Sequence, residues 1–288
     1  MSTDVIETSI GRVPVLHRLA LGLVLRDAVT NRVAVGPFRV GWEATQNQLP
    51  PGSRPDWPCV DFESAGQGRF RLRVGPRGSA PLSRFVQPVT SLTVRIDDPS
   101  RRYVPRRLSI PLWSYPEVIE RPPSGPLAVG SRTVDVWLWP GAASPVPRGL
   151  TAIRGRVVRQ SLPVPWTRIT ATGPTGAVIG RAHGDDRGEF VLRLTSTSQN
   201  PVQSTVTVRA LVRGPVALPK PPGEPPDPPP IETVTRPANP PVTGGPGDPV
   251  LLGDEPPPGH LLHLPPSPPF AIPVGRVFVP DADFPFAP

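Results

Sequence analysis

From Gly149 to Arg213 apolar and polar residues alternate in short runs, and Gly, Pro, Asp or Asn punctuate the gaps. This is the period-2 pattern of antiparallel strands, whose successive side chains point to opposite faces. Runs at 150–159, 167–172, 177–182, 189–194 and 204–212 predict strands and require no helix. Val178, Phe190, Leu192 and Leu194 share a parity that predicts one buried face, with Glu189 and Arg193 looking outward. A small β-sandwich buries such a face.

The strand opening Gly155-Arg-Val, the turn Pro163-Val-Pro165 and the run Asp185-Asp-Arg-Gly-Glu-Phe190 resemble the carboxypeptidase-regulatory-like, transthyretin-like β-sandwich module. The resemblance implies that the Asp/Gly turn feeds a strand whose Phe plugs the core. The same landmarks recur in the same order nearer the start of the chain. Leu21 to Asp27 answers to Ile153 to Arg159, Asn31 to Val40 to the Pro163 turn and strand, Gly66 to Val74 to Asp186 to Leu194, and Ser91 to Ile96 to Ser204 to Ala210. Recurrence of this kind predicts a tandem arrangement, the first copy enlarged by loops at 46–60 and 75–88.

The expected fold class is therefore all-β, with two tandem β-sandwich (transthyretin/Ig-like) domains followed by a long proline-rich extended arm. The boundaries read as an N-terminal extension at 1–15, a first sandwich at 16–113, a connecting segment with one strand at 114–148, a second sandwich at 149–214 and the arm at 215–288. In the connecting segment Val134, Val136 and Leu138 face one way and Asp135, Trp137 and Trp139 the other. Two Trp opposite an aliphatic stripe predict a strand covered on both faces, by the neighbouring unit or by another chain.

Composition changes this picture at the C-terminal end. The 288 residues include 48 Pro and 27 Gly, more than a quarter of the chain, a level associated with unstructured segments. Proline lacks an N–H and fixes φ, so the arm is expected as polyproline II or extended coil. At about 3.1 Å per residue it could reach on the order of 200 Å. Apolar islands interrupt it, and they predict contacts with a partner protein through Leu251, Leu252, Leu261, Leu262, Phe270, Val277, Phe278, Phe284 and Phe286.

Charge is divided unevenly about a net +8: residues 1–214 carry 28 Lys and Arg against 15 Asp and Glu, residues 215–288 carry 3 against 8. Arg69, Arg71 and Arg73 on one strand, with Arg101, Arg102, Arg106 and Arg107 downstream, suggest a face for an anionic partner. No stacking aromatics are interleaved with them, so nucleic acid is not the expected partner. A single Cys59 rules out an intrachain disulfide framework. The apolar run Leu19 to Leu25 is too short to cross a bilayer and lacks the flanks of a signal peptide, so synthesis and residence in the cytoplasm are expected.

Chemistry is sparsely signalled. His260 and His263 have helical ligand spacing but proline flanks and no further ligands nearby, so neither metal nor cofactor is expected. Asp185 and Asp186 lack the alternating oxygen ligands of a calcium loop and read as a turn. No nucleophile motif surrounds Cys59 or any Ser, so the chain reads as a non-enzyme. Trp42, Trp57, Trp113, Trp137, Trp139 and Trp166 read either as core or as platforms for carbohydrate, the first being the commoner fate of large aromatics. The segment Val94 to Pro105, with the tandem layout, is similar to accessory proteins of phage-tail-like contractile injection systems. That similarity implies a structural subunit binding other subunits of a particle, copies of itself among them. The alternative is an adhesive, carbohydrate-binding sandwich.

Overall fold

A computed structural model describes residues 4–6, 15–44, 49, 52–74, 91–112, 133–194, 205–221, 223–235, 247–264 and 267–288. The described chain is nearly all β, in four sheets. The first nine strands are β1 (Asp4–Ile6), β2 (Val15–Asp27), β3 (Arg39–Glu43), β4 (Cys59–Asp61), β5 (Glu63–Gly66), β6 (Arg69–Val74), β7 (Ser91–Asp97), β8 (Arg106–Pro111) and β9 (Thr133–Leu138). In one sheet β2 lies between antiparallel β6 and a parallel β9, with β1 antiparallel to the start of β2 and β5 on β6. The other sheet runs β8-β7-β3-β4, all antiparallel.

Between these sheets lies a first hydrophobic core. Alternation sends Leu21, Leu23 and Leu25 of β2 and Leu72 of β6 inward from one side, and Val40, Val94, Ile96, Leu108 and Ile110 from the other. Val136 and Leu138 of β9 join them, as their parity predicts, while Trp139 on the opposite face is covered by the later part of the same chain.

The second core is framed by β10 (Ala152–Arg159), β11 (Leu162–Pro163), β12 (Arg168–Thr172), β13 (Val178–His183), β14 (Glu189–Arg193) and β15 (Thr205–Pro215). Here β10 pairs antiparallel with β14, and β13-β12-β15 form the facing sheet. Phe190, Leu192 and Leu194 point into the core with Ile153, Val157, Ile169, Val208 and Val212. Val178 does not: it is 46% exposed. A register shift between Ala171 and Thr172 breaks the parity there, and Gly180 and Ala182 take the inward positions of β13.

The proline-rich segment returns to both bodies as short elements: β16 (Ile231–Thr233), the single-turn helix α1 (Pro249–Leu252), β17 (His260–Leu262), β18 (Phe270–Pro273), β19 (Val277–Phe278) and β20 (Phe284–Pro285). β16 runs parallel to the outer edge of β8. β17 and β18 pair with β15, and β19 and β20 run parallel to β10. Each of these strands falls in an island largely free of proline, where N–H groups survive to make a ladder. Asp248 starts α1 by accepting from Val250 N at 2.7 Å, Pro249 fits its first turn, and Gly253 ends it at φ 74°. No helix among the described residues is long and apolar enough to cross a membrane.

Candidate functional site

Where the two cores meet, charged side chains are buried together. Arg106 shares its parity on β8 with Leu108 and Ile110, so the strand turns it inward, and its side chain is fully buried. All five of its donors are used. Nε donates to Glu232 Oε1 at 3.0 Å and Nη2 to Oε2 at 2.8 Å, while the remaining N–H groups reach the carbonyls of Trp137 (2.9 Å), Leu251 (2.8 Å) and Val250. Arg168 of β12 approaches the same Glu232 carboxylate at 3.3 Å. One acidic residue from the proline-rich segment is thus held between an arginine from each body.

Burial raises the Glu232 carboxyl, but Arg106 and then Arg168 outweigh it and hold the group below its ordinary range. Burial lowers Arg168, against the pull of Glu232. Beside them His183 lies 2.9 Å through Nε2 from the carbonyl of Gly253 and stacks on Trp139 at 5.2 Å between ring centroids. A Cβ on Gly253 would stand 2.6 Å from Trp139 Nε1 and 2.8 Å from His183, so both the close approach and the positive φ require glycine. His260 places Nε2 2.9 Å from the carbonyl of Trp166, itself in the left-handed region at φ 59°. Burial, then neighbouring Arg168, lowers His183 well below the usual imidazole range; burial lowers His260 too.

A second, shallower contact joins the bodies through the turn after β7. Asp98 caps this turn, accepting from Ser100 N and from Tyr103 N at 3.0 Å each. Arg101, at φ 56°, reaches across to Asp185 at 2.8 Å and to Asp186. Asp185 meanwhile caps its own turn, accepting from Arg187 N at 2.8 Å and Glu189 N at 3.0 Å. The segment Val94 to Pro105, singled out in sequence, is therefore part of the joint. Two clefts flank Trp166, of about 360 Å³ on the Arg101 side and about 420 Å³ against Leu218 and Pro219.

The basic residues do not assemble into one face. Arg106 is internal, and Arg107, next along the strand, points to the other side of the sheet and pairs with Glu43 at 2.6 Å. Arg71 pairs with Glu63 at 3.0 Å, and Arg101 is engaged as above. Arg69 and Arg102 are exposed, and the side chain of Arg73 lies outside the described residues. Arg106 and Arg107 are consecutive positions of one strand and so point to opposite faces, which is why that pair separates in space.

The apolar islands divide as well. Phe284 and Phe286 are buried in the second core of this chain, Phe270 and Phe278 pack half-buried against it, and Leu251 packs against the first. Leu252 and Leu262 are half-buried; Leu261 and Val277 are exposed. His260 and His263 do not converge, since His263 turns to the backbone of Ala287. Of the Trp residues, Trp42, Trp57, Trp139 and Trp166 are buried, and Trp57 lies beneath Arg39 and Arg95. Trp137 is half-buried and donates to Asn31 at 2.9 Å; Trp113 lies outside the described residues. Cys59 is buried, and burial first, then Glu43, pushes its thiol up to about 12. No group of three or more His, Cys, Asp or Glu side chains gathers as a metal site among the described residues.

Glu232, Arg168, His183 and Gly253 were not legible as site residues. The available signal was a lone acid in the island Ile231-Glu-Thr-Val between prolines, whose Ile231 is exposed while Glu232 is buried.

Fold and junction together define an all-β protein built on two sheet-enclosed cores that its own C-terminal segment ties together. No family model matches the chain, and no curated protein matches it. Among solved structures, the Bacillus anthracis TIE protein is similar at a TM-score of 0.22 and 9% identity, over 94% of this chain. This chain spans 34% of that protein's length.

Proposed function

We propose that the chain is a non-catalytic structural subunit of a large multi-protein particle, of the kind represented by phage-tail-like contractile injection systems, assembled in the cytoplasm. In this reading two tandem sandwich domains form a stiff body, and the proline-rich arm both ties them together and meets neighbouring subunits. The observation that carries it is where apolar surface is left uncovered. Ten large hydrophobic residues are exposed among the described residues, and seven of them, Val216, Leu218, Ile231, Leu261, Leu264, Val277 and Val279, lie on the arm. Apolar surface gathered in one segment is what a protein contact covers.

The test is a variant carrying Leu218→Asp, Leu264→Asp, Val277→Asp and Val279→Asp, expressed in the native background. Its thermal unfolding should match the parent within a few degrees, because these side chains already face water, while its co-sedimentation with a large particle should be lost. A parent chain that runs as a monomer in light scattering and never sediments with a particle would end this reading.

A further inference from the structure

We propose that the contact holding the proline-rich segment to the two bodies is an acid-sensitive latch, with His183 and His260 as its proton sensors. The inference concerns regulation and does not depend on the assembly role.

The geometry dictates the protonation state. With Nε2 of His183 2.9 Å from the Gly253 carbonyl, that nitrogen must carry the hydrogen, and Nδ1 is left bare. Nδ1 is buried and meets no hydrogen-bond partner among the described residues. A second proton would therefore sit on Nδ1 with nothing to accept it. The surroundings oppose it further. Arg168 faces His183 from β12, its Cα partner across the ladder, and Arg106 faces it from β8. Glu232 of β16 is the carboxylate that serves both guanidiniums, and the third imidazole-facing group is His260 itself from β17. Asp254, after α1, is turned to Arg181 at 3.5 Å. His260 is held less one-sidedly: Nε2 donates to the Trp166 carbonyl, burial and then Arg168 oppose a second proton, and the Pro258 backbone and Glu232 favour one, with burial prevailing.

The docked state thus disfavours the protonated form of both imidazoles, His183 the more strongly. When residues 250–260 lift away, the rings meet water and recover the ordinary affinity for a proton. A group that binds protons more weakly in the docked state contributes its full stabilisation above its free pKa of about 6.5 and loses it as pH falls below that value. At pH 5 a free imidazole is protonated by roughly 30 to 1, so docking weakens by up to about 30-fold for each histidine. Glu232 does not confuse the window. Its carboxyl is held below the ordinary range, so its contribution persists until the pH falls under about 4.3.

Hydrogen–deuterium exchange on the intact chain at pH 7.5 and pH 5.0, corrected for the intrinsic pH dependence of exchange, reads the latch. Protection of residues 231–235 and 249–262 should fall by at least about 10-fold at pH 5.0, while residues 92–97 and 190–194 keep theirs. His183→Gln retains a side-chain N–H for Gly253 but takes no proton, and with His260→Gln it should remove most of the pH response. If those variants do not fold, imidazole NMR of the unsubstituted chain decides. Both rings should stay neutral until arm protection is lost. Unchanged protection at pH 5.0, rings that titrate near 6.5 while the arm stays protected, or a full pH response in the double variant would each overturn the latch.

Discussion

Gly155 and Gly214 are the seats of two aromatic rings. A Cβ built on Gly155 would stand 2.7 Å from Phe284 and 2.9 Å from Phe190, whose centroids lie 5.4 Å apart; one on Gly214 would stand 3.0 Å from Phe286. Glycine inside a strand here marks the close approach of another part of the chain. Gly155→Ala is expected to force the Phe284 ring out of place and to cost about 1–3 kcal/mol, the usual penalty for overfilling a packed core. Urea denaturation monitored at the second core checks this, and an unchanged midpoint would show that Phe284 is not seated there. The glycine that opens the Gly-x-Val strand thus has its reason 129 positions away, at Phe284.

At the scale of elements, the two bodies repeat one set of pairings. β2 pairs antiparallel with β6 and parallel with β9; β10 pairs antiparallel with β14 and parallel with β19 and β20. Likewise β7 has β3 on one side and β8 on the other, as β15 has β12 on one side and β17 and β18 on the other. The last strands of the proline-rich segment stand where β8 and β9 stand in the first body. Truncation after residue 214 therefore removes Ile272, Phe284 and Phe286 from the second core. Each such loss costs about 2–5 kcal/mol, and three together rival the roughly 5–15 kcal/mol by which a domain is stable. The truncated chain should bind a hydrophobic dye and lose near-ultraviolet dichroism. A truncated chain with a native second core would show that these strands are ornament.

For the whole molecule, the two joints between the bodies differ in depth, and depth decides their worth. Glu232 is 3% exposed and its removal leaves two buried guanidiniums with one fewer anion between them; Glu232→Ala should cost about 3–5 kcal/mol. Arg101 is 39% exposed, and without it Asp185 still accepts from two backbone N–H groups. Arg101→Ala should cost under about 1 kcal/mol, as exposed pairs do. Equal costs for the two in thermal or denaturant unfolding would contradict the depth argument.

Alternation is a local property, so most strands of both cores, the inward Phe190 and Leu192, and the aliphatic face of β9 were readable residue by residue. The apolar islands were readable too, because proline marks where a ladder cannot form. What the sequence alone determined was which short stretches become strands and which of their faces turn inward. Only the tertiary structure decided that those islands are met by this chain's own β8, β10 and β15, and that Arg106, Arg168 and Glu232 share one buried place. Pairing partners and charge compensation depend on which distant segments the fold brings within a few ångströms, and no periodicity along a chain encodes that distance.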